Sequence, residues 1–261
     1  MAELHASIDN GIARLVLDNQ PKRNALTLAM WEGIGDVLGR WAADRAVRVV
    51  VVTGAGTTAF CSGNDVGEYE SERATPEQVA HYNGLQSRAN AALDGIGKPT
   101  VAMISGYCLG AGLVLALRCD LRYCSADASF SAPVARFGLP FRQSGLQRLV
   151  DLVGPMHAKE MLFTARRYDA AWAERCGLVN AVAADPAALA ATVDSVAAQL
   201  AANAPMTIGQ VKHGVAQAMR RDAPPDEAAC KTREDECYAS ADYTEGRRAF
   251  MEKRRPAFRG A

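Results

Sequence analysis

The chain has 261 residues, with 29 Lys and Arg against 29 Asp and Glu, so its formal net charge is zero. No global field draws it to nucleic acid or to an anionic membrane surface, and neither is expected as a partner. At 49% hydrophobic and 22% charged residues it has the proportions of a globular protein able to bury a substantial core. Seven cysteines, Cys61, Cys108, Cys119, Cys124, Cys176, Cys230 and Cys237, are odd in number and form no CxxC pair, and His5, His81, His157 and His213 do not cluster near them. That argues against a disulfide framework and against a zinc or other metal site. The start, MAELHASIDNG, carries no apolar run of the signal-peptide kind. Apolar stretches elsewhere fall short of the ~20 residues that span a bilayer, so a cytoplasmic location is expected.

In chain order, residues 6–9 and 12–18 read as strands flanking Asn10-Gly11, a pair suited to a tight hairpin turn. Leu26, Met30, Ile34, Val37, Leu38 and Trp41 recur at helical spacing over 26–42. Val47 to Thr53 is a β-branched run, apolar on both faces as a strand between two layers would be. The polar region 68–78 is expected as a loop before the next helix. Pro99 to Ser105 reads as a second buried strand closed by Gly106, followed by a helix over 113–119 and short strands at 121–124 and 129–131. From about Leu146 helices dominate, with an Ala-rich apolar pattern across 186–203 and helices near 206–219, 225–239 and 243–254; Pro224-Pro225 interrupts this tail. The expectation is an α/β core over 1–200 and a helical region over 201–261, with no internal repeat.

Two segments could carry chemistry. Phe60-Cys61-Ser62-Gly63-Asn64-Asp65 follows a buried strand, and Gly63 allows the Asn64 N–H to point into a cavity. Gly106-Tyr107-Cys108-Leu109-Gly110-Ala111-Gly112 follows another and leads into a helix, whose start offers free N–H groups at a positive dipole end. Two such turns could supply paired donors to one developing oxyanion. The alternative is a pair of turns that bind nothing. The basic run Lys253-Arg254-Arg255 reads, on composition alone, as a solvated helix end.

The order and wording of these segments resemble the crotonase (enoyl-CoA hydratase/isomerase) family along nearly the whole chain. The pieces are Pro21-Lys22-Arg23-Asn24-Ala25-Leu26, Val50 to Gly54, Phe60 to Asp65, Lys98 to Ala102, Gly106 to Gly112, Cys119-Asp120, Glu245-Gly246 and Ala249 to Arg254. The resemblance implies a spiral of ββα turns with a C-terminal helical trimerisation region, and a homotrimer or a hexamer built from two trimers. It implies an acyl-CoA thioester substrate, with coenzyme A entering as part of that substrate, no bound cofactor and no metal. It places the oxyanion-hole donors at the backbone N–H groups of Asn64 and Ala111, where the family has Gly at the second position. Lys22, Arg23, Ala25 and Ser62 fall where the family lines the CoA moiety. Phe250 and Lys253 fall where a neighbouring subunit's tail covers the pantetheine and the 3′-phosphate.

The chain departs from the hydratase pattern at both acid/base positions. The two glutamates of the family's hydratases correspond here to Val114 and Val134. General acid–base groups contribute about 10²–10⁴ each, so ordinary hydration does not follow from membership. A third family position, acidic in some dehalogenases and dienoyl isomerases, is Arg142, a poor base but a good anchor for a carboxylate. Part of the chain also resembles the methylmalonyl-CoA decarboxylase branch, which has His where this chain has Asn64 and Tyr where it has Phe141. Glu68, Tyr69 and Glu70 are candidates for a relocated acid/base, set against a solvated loop. Cys108 is a candidate nucleophile against a buried packing thiol. Ser131 and Arg136 are expected near the acyl tail, Tyr107 in the core, and Asp65 as a turn cap. Three readings stand: a family enzyme that stabilises a thioester enolate, nominally a lyase; a decarboxylase or hydrolase of a carboxylate-bearing acyl-CoA; and a non-catalytic acyl-CoA-binding protein.

Overall fold

A computed structural model describes residues 2–261. Asn10 and Gly11 both take positive φ, 48° and 81°, and join strand β1 (Glu3–Asp9) to β2 (Ile12–Asp18) in an antiparallel hairpin. Along β2 the alternation of the sequence buries Ala13, Leu15 and Leu17 on one face. Helix α1 (Leu28–Ala43) starts where Thr27 accepts from the Met30 N–H and buries Met30, Trp31, Ile34, Leu38 and Trp41. Strand β3 (Val49–Gly54) is buried on both sides: Val50 and Val52 face the main core, Val49 and Val51 a second layer with Leu189, Val193 and Ala197.

The remaining elements are β4 (Ala59–Cys61), α2 (Tyr69–Glu72), α3 (Pro76–Gly95), β5 (Thr100–Ile104), β6 (Tyr107–Leu109), α4 (Ala111–Arg118), β7 (Leu121–Ser125), β8 (Ser129–Ser131) and α5 (Gln143–Thr164). They continue with β9 (Tyr168–Asp169), α6 (Ala170–Arg175), β10 (Ala181–Ala183), α7 (Pro186–Ala202), α8 (Pro205–Ala218), α9 (Glu227–Ala239) and α10 (Ala241–Met251). A six-stranded sheet has the order β1-β2-β3-β5-β7-β10 and a four-stranded one β4-β6-β8-β9. The chain steps from the large sheet to the small one three times, β3 to β4, β5 to β6 and β7 to β8, and each step leads on to a helix: α3, α4 or α5. This is the expected spiral of ββα turns.

The structure corrects three local expectations. The segments around 60–65 and 106–112 are not turns alone, because each begins with a three-residue strand, β4 or β6, and these two pair in parallel. The region 68–78 is not simply a loop: it holds α2, and a capping box between Thr75 and Gln78 starts α3. Helix α5 begins at Gln143, earlier than the periodicity suggests, and breaks at Gly154, where φ is 75°.

At the C-terminus the last residues fold back on α10. The Ala241 N–H donates to the Ala261 carbonyl (2.7 Å), and the buried Asp242 carboxylate accepts from the Arg259 and Gly260 N–H groups (2.7 and 2.8 Å). Arg254 leads the hydrogen bonds that hold the Glu245 carboxyl well below the usual carboxylate range. Among the described residues no helix is long and apolar enough to cross a membrane.

One close approach positions everything that follows. A Cβ at Gly112 would lie 2.4 Å from the Cys61 carbonyl oxygen and 2.6 Å from the Cys61 Cβ, so α4 sits directly on β4. Gly112→Ala therefore overpacks this contact and is expected to destabilise the fold by about 1–3 kcal/mol, read as a lower urea midpoint. An unchanged midpoint would contradict the contact.

Candidate functional site

The two glycine-bearing turns face each other across the small sheet. Gly63 (φ 116°) and Gly110 (φ 52°) hold conformations that side-chain-bearing residues avoid. A Cβ at Gly63 would stand 3.5 Å from the Leu109 carbonyl oxygen and 3.7 Å from the Ala111 nitrogen, and one at Gly110 would stand 3.8 Å from the Gly63 Cα. The first turn is pinned to the segment before α1: the Leu26 N–H donates to the Gly63 carbonyl and the Asp65 N–H to the Leu26 carbonyl, both at 2.8 Å. The Asn64 N–H between them points away from Leu26 and finds no acceptor among the described residues. In the second turn the Gly110 N–H donates to the Ser131 carbonyl (2.8 Å), while the N–H of Ala111, the first residue of α4, finds no acceptor among the described residues. Ala111 has no positive φ, so its methyl group is accommodated without backbone strain. The Asn64 side chain is itself fixed, its Oδ1 accepting from Trp31 Nε1 at 2.9 Å.

Most of the expected binding residues gather beside the first turn. The Ser62 Oγ donates to the Lys22 carbonyl (3.0 Å), its N–H donates to the Arg23 carbonyl (3.0 Å), and Ala25 is buried behind them. Lys22 Nζ pairs with the buried Asp65 carboxylate at 2.7 Å, whose other oxygen accepts from the Gly67 N–H (3.0 Å); Asp65 thus caps its turn, as expected, and also anchors Lys22. Arg23 lies over the Tyr107 ring at 4.8 Å and Arg167 at 5.2 Å, which makes Tyr107 a half-exposed platform for two guanidinium groups and not the core residue expected. Phe250 and Lys253 lie apart, at the end of α10; Phe250 is 82% exposed.

Residues 7–261 match the family model described as enoyl-CoA hydratase/isomerase. The chain belongs to that family. It is 32% identical to YngF of Bacillus subtilis, named for the same enoyl-CoA hydratase/isomerase family, over 97% of each chain. It is also 32% identical to the short-chain-enoyl-CoA hydratase of Clostridium acetobutylicum, over 94% of this chain and 93% of that one. Among solved structures, an enoyl-CoA hydratase/carnithine racemase from Magnetospirillum magneticum matches 100% of this chain and 97% of its own with a TM-score of 0.92, at 32% identity. The fold is the crotonase fold of these relatives.

In this enoyl-CoA hydratase/isomerase-family chain both family acid/base positions are aliphatic. Val114 lies one turn into α4, and Val134 sits in a single 3₁₀ turn, Pro133–Arg136. Phe141 packs on Gly145 and closes over the same region: a Cβ at Gly145 would meet the Phe141 ring at 3.3 Å and the Val114 Cγ2 at 3.7 Å. Glu68 is not a free carboxylate, because its Oε2 accepts from the Leu28 N–H (2.8 Å) at the start of α1. Tyr69 lies under the Arg73 guanidinium at 4.7 Å, and Glu70 is exposed. Burial, and then the Glu68 carboxylate, push the Tyr82 hydroxyl above the usual phenol range. Arg142 caps no helix with its side chain; its Nη1 donates to the Ser87 Oγ at 2.9 Å. Arg136 is exposed, and Ser131 is buried and serves the second turn through its carbonyl. Among the described residues no group of three His, Cys, Asp or Glu could hold a metal ion.

Cys108 is fully buried, and burial pushes its thiol well above the ordinary value; burial likewise pushes Cys61 up to about 12. A raised thiol pKa leaves the nucleophilic thiolate unpopulated near neutrality. Iodoacetamide at pH 8 should therefore modify the partly exposed Cys230 and Cys237 while sparing Cys61, Cys108 and Cys119 until urea unfolds the protein, as counted by peptide mass spectrometry. Modification of native Cys108 as fast as Cys230 would contradict the packing role.

Proposed function

We propose that the protein processes an acyl-CoA thioester, with the Asn64 and Ala111 N–H groups donating together to the thioester oxygen as enolate charge develops there. The observation that carries this reading is the pair of backbone donors, without an acceptor among the described residues, on facing turns hinged at Gly63 and Gly110. Donors fixed in advance need no reorganisation when charge arrives, and each is worth about 10²–10³ in rate. Coenzyme A enters as part of the substrate, and no cofactor or metal is invoked. Its nucleotide runs along Lys22, Arg23, Ala25 and Ser62, which lie beside the first turn.

We further propose that residues 201–261 form an oligomerisation region of a cytoplasmic homotrimer or a hexamer made of two trimers. Val215 on α8 and Phe250 and Met251 on α10 leave apolar surface in solvent that a second copy would cover. In such an assembly Phe250 and Lys253 would cover the CoA of a neighbouring subunit.

The reaction is narrowed by Val114 and Val134. With neither position ionisable, a pair of carboxylates to activate water and protonate carbon is missing there. This favours a second reading, a decarboxylase or hydrolase of a carboxylate-bearing acyl-CoA. In decarboxylation the bond between the α-carbon and the carboxylate breaks, its electron pair enters the enolate, CO₂ leaves, and the α-carbon then takes a proton from solvent or a polar group. A panel of crotonyl-CoA, malonyl-CoA and methylmalonyl-CoA, followed by enoyl absorbance, CO₂ release and free thiol, separates these outcomes. Binding without turnover across the whole panel would support a silent acyl-CoA-binding protein instead.

Ala111→Pro tests the donor itself, since proline is tolerated at the first position of a helix and replaces the N–H with a ring methylene that cannot donate. Turnover of whichever panel substrate is active should fall about 10²–10³-fold while the thermal midpoint stays close to that of the parent protein. Undiminished turnover would refute the role assigned to this amide.

A further inference from the structure

One hydrogen bond fixes which way the Asn64 side chain faces. The Trp31 indole lies fully inside the core, and its Nε1 donates to the Asn64 Oδ1 at 2.9 Å. An indole N–H can only donate, and a buried one needs an acceptor, so the carboxamide turns its oxygen toward α1. Its NH₂ group then faces the other way, on a residue that is half-buried, and finds no acceptor among the described residues. The neighbouring asparagines behave differently. Asn19 Nδ2 donates to the Ala25 carbonyl (2.9 Å), and Asn24 Nδ2 to the Ala55 and Ala59 carbonyls (3.0 and 2.7 Å), which ties down the segment beside the first turn. Asn64 thus carries two donors, its backbone N–H and its side-chain NH₂, with an acceptor for neither among the described residues. The backbone that presents them is held separately. The Leu26 N–H donates to the Gly63 carbonyl and the Asp65 N–H to the Leu26 carbonyl, both at 2.8 Å, and the buried Tyr82 hydroxyl reaches that same Leu26 carbonyl at 3.4 Å.

We propose that the Asn64 side chain, aimed by Trp31, donates to an oxygen on the β-carbon of the acyl group while the Asn64 backbone N–H donates to the thioester oxygen. The covalent frames match. From the backbone nitrogen through Cα, Cβ and Cγ to Nδ2 there are as many bonds as from the thioester oxygen through its carbon, the α-carbon and the β-carbon to a β-oxygen. Such a ligand offers its two acceptors at the spacing at which one asparagine offers its two donors. The chemistry of the class suits the rest of the chain. An α-carbon between two carbonyl-type groups gives up a proton, or CO₂ when one group is a carboxylate, far more readily than that of a simple acyl group. It therefore demands less of a general base, and Val114 and Val134 supply none. The acyl groups that fit are 3-oxoacyl and malonyl-type, which share the β-oxygen. Trp31 is a positioning residue here, acting only through the orientation of the carboxamide. Satisfying the buried indole is the competing role for Asn64, and that role needs the Oδ1 alone. This inference rests on the acyl-CoA reading and names the class of acyl group.

The test compares butyryl-CoA, which has no β-oxygen, with acetoacetyl-CoA, which carries a ketone there, and malonyl-CoA, which carries a carboxylate. Affinities for the full chain are read by calorimetry, with KM in place of Kd for any thioester that is turned over. One added hydrogen bond should make at least one of the β-oxygenated thioesters bind about 5- to 10-fold tighter than butyryl-CoA, and the arm that does so tells ketone from carboxylate. Asn64→Asp keeps an oxygen for the Trp31 indole and replaces only the NH₂ group with a second oxygen, so the thermal midpoint should hold while the preference disappears. Trp31→Phe releases the carboxamide to turn and should reduce the same preference. Equal binding of all three thioesters by the parent protein, or a preference that survives Asn64→Asp, overturns the proposal and leaves Asn64 as a partner for the indole alone. Failure of all three to bind the parent protein sinks the acyl-CoA reading itself.

Discussion

The architecture of this protein turns on two facing turns whose backbones adopt conformations that residues with side chains resist. Gly63 and Gly110 supply the positive φ values, and the two turns lie within van der Waals distance of each other. The small sheet exists to present them: β4 ends in the first turn, β6 in the second, and β8 lends the Ser131 carbonyl that ties down Gly110. Two residues after Gly110, at Gly112, it is space that forbids a side chain, because α4 meets Cys61. What remains are the Asn64 and Ala111 amides, whose hydrogens have no acceptor among the described residues.

The electrostatics around that centre differ from those of an acid–base site. Val114 and Phe141 meet over Gly145, and the carboxylates nearest in sequence are engaged elsewhere, Asp65 by Lys22 and Glu68 by a backbone N–H. In a site of low polarity fixed dipoles act more strongly than they would in water, so amide donors can bear a larger share of the work. In the proposed account the chemistry lies in holding enolate charge.

Much of this was legible in the sequence, for physical reasons. The hairpin at Asn10-Gly11, the two-faced β3 and the amphipathic α1 announce themselves through turn chemistry and periodicity spread over many residues. Strands β4 and β6 do not, because three residues carry no detectable period and their glycine-rich ends read as turns. Helix α2 is hidden in the same way by a polar run with no apolar face. At the site, the glycines exposed the turns and Asn64, and the family resemblance supplied Ala111. The contacts that tune the site were invisible: Trp31 to Asn64 spans 33 positions, Leu28 to Glu68 spans 40, and Arg142 to Ser87 spans 55. Such pairings are set by how layers stack, and nothing local in the chain encodes them.

The central claim is that one acyl oxygen receives both amides, and the vibration of that carbonyl reports it directly. Infrared difference spectra of a bound acyl-CoA labelled with ¹³C at the thioester carbonyl isolate the band. The account predicts a band at clearly lower frequency than for the same thioester in water, because two donors draw electron density onto the oxygen and weaken the C=O bond. A bound carbonyl that absorbs at or above its frequency in water would show that the oxygen meets no such pair, and would contradict the account.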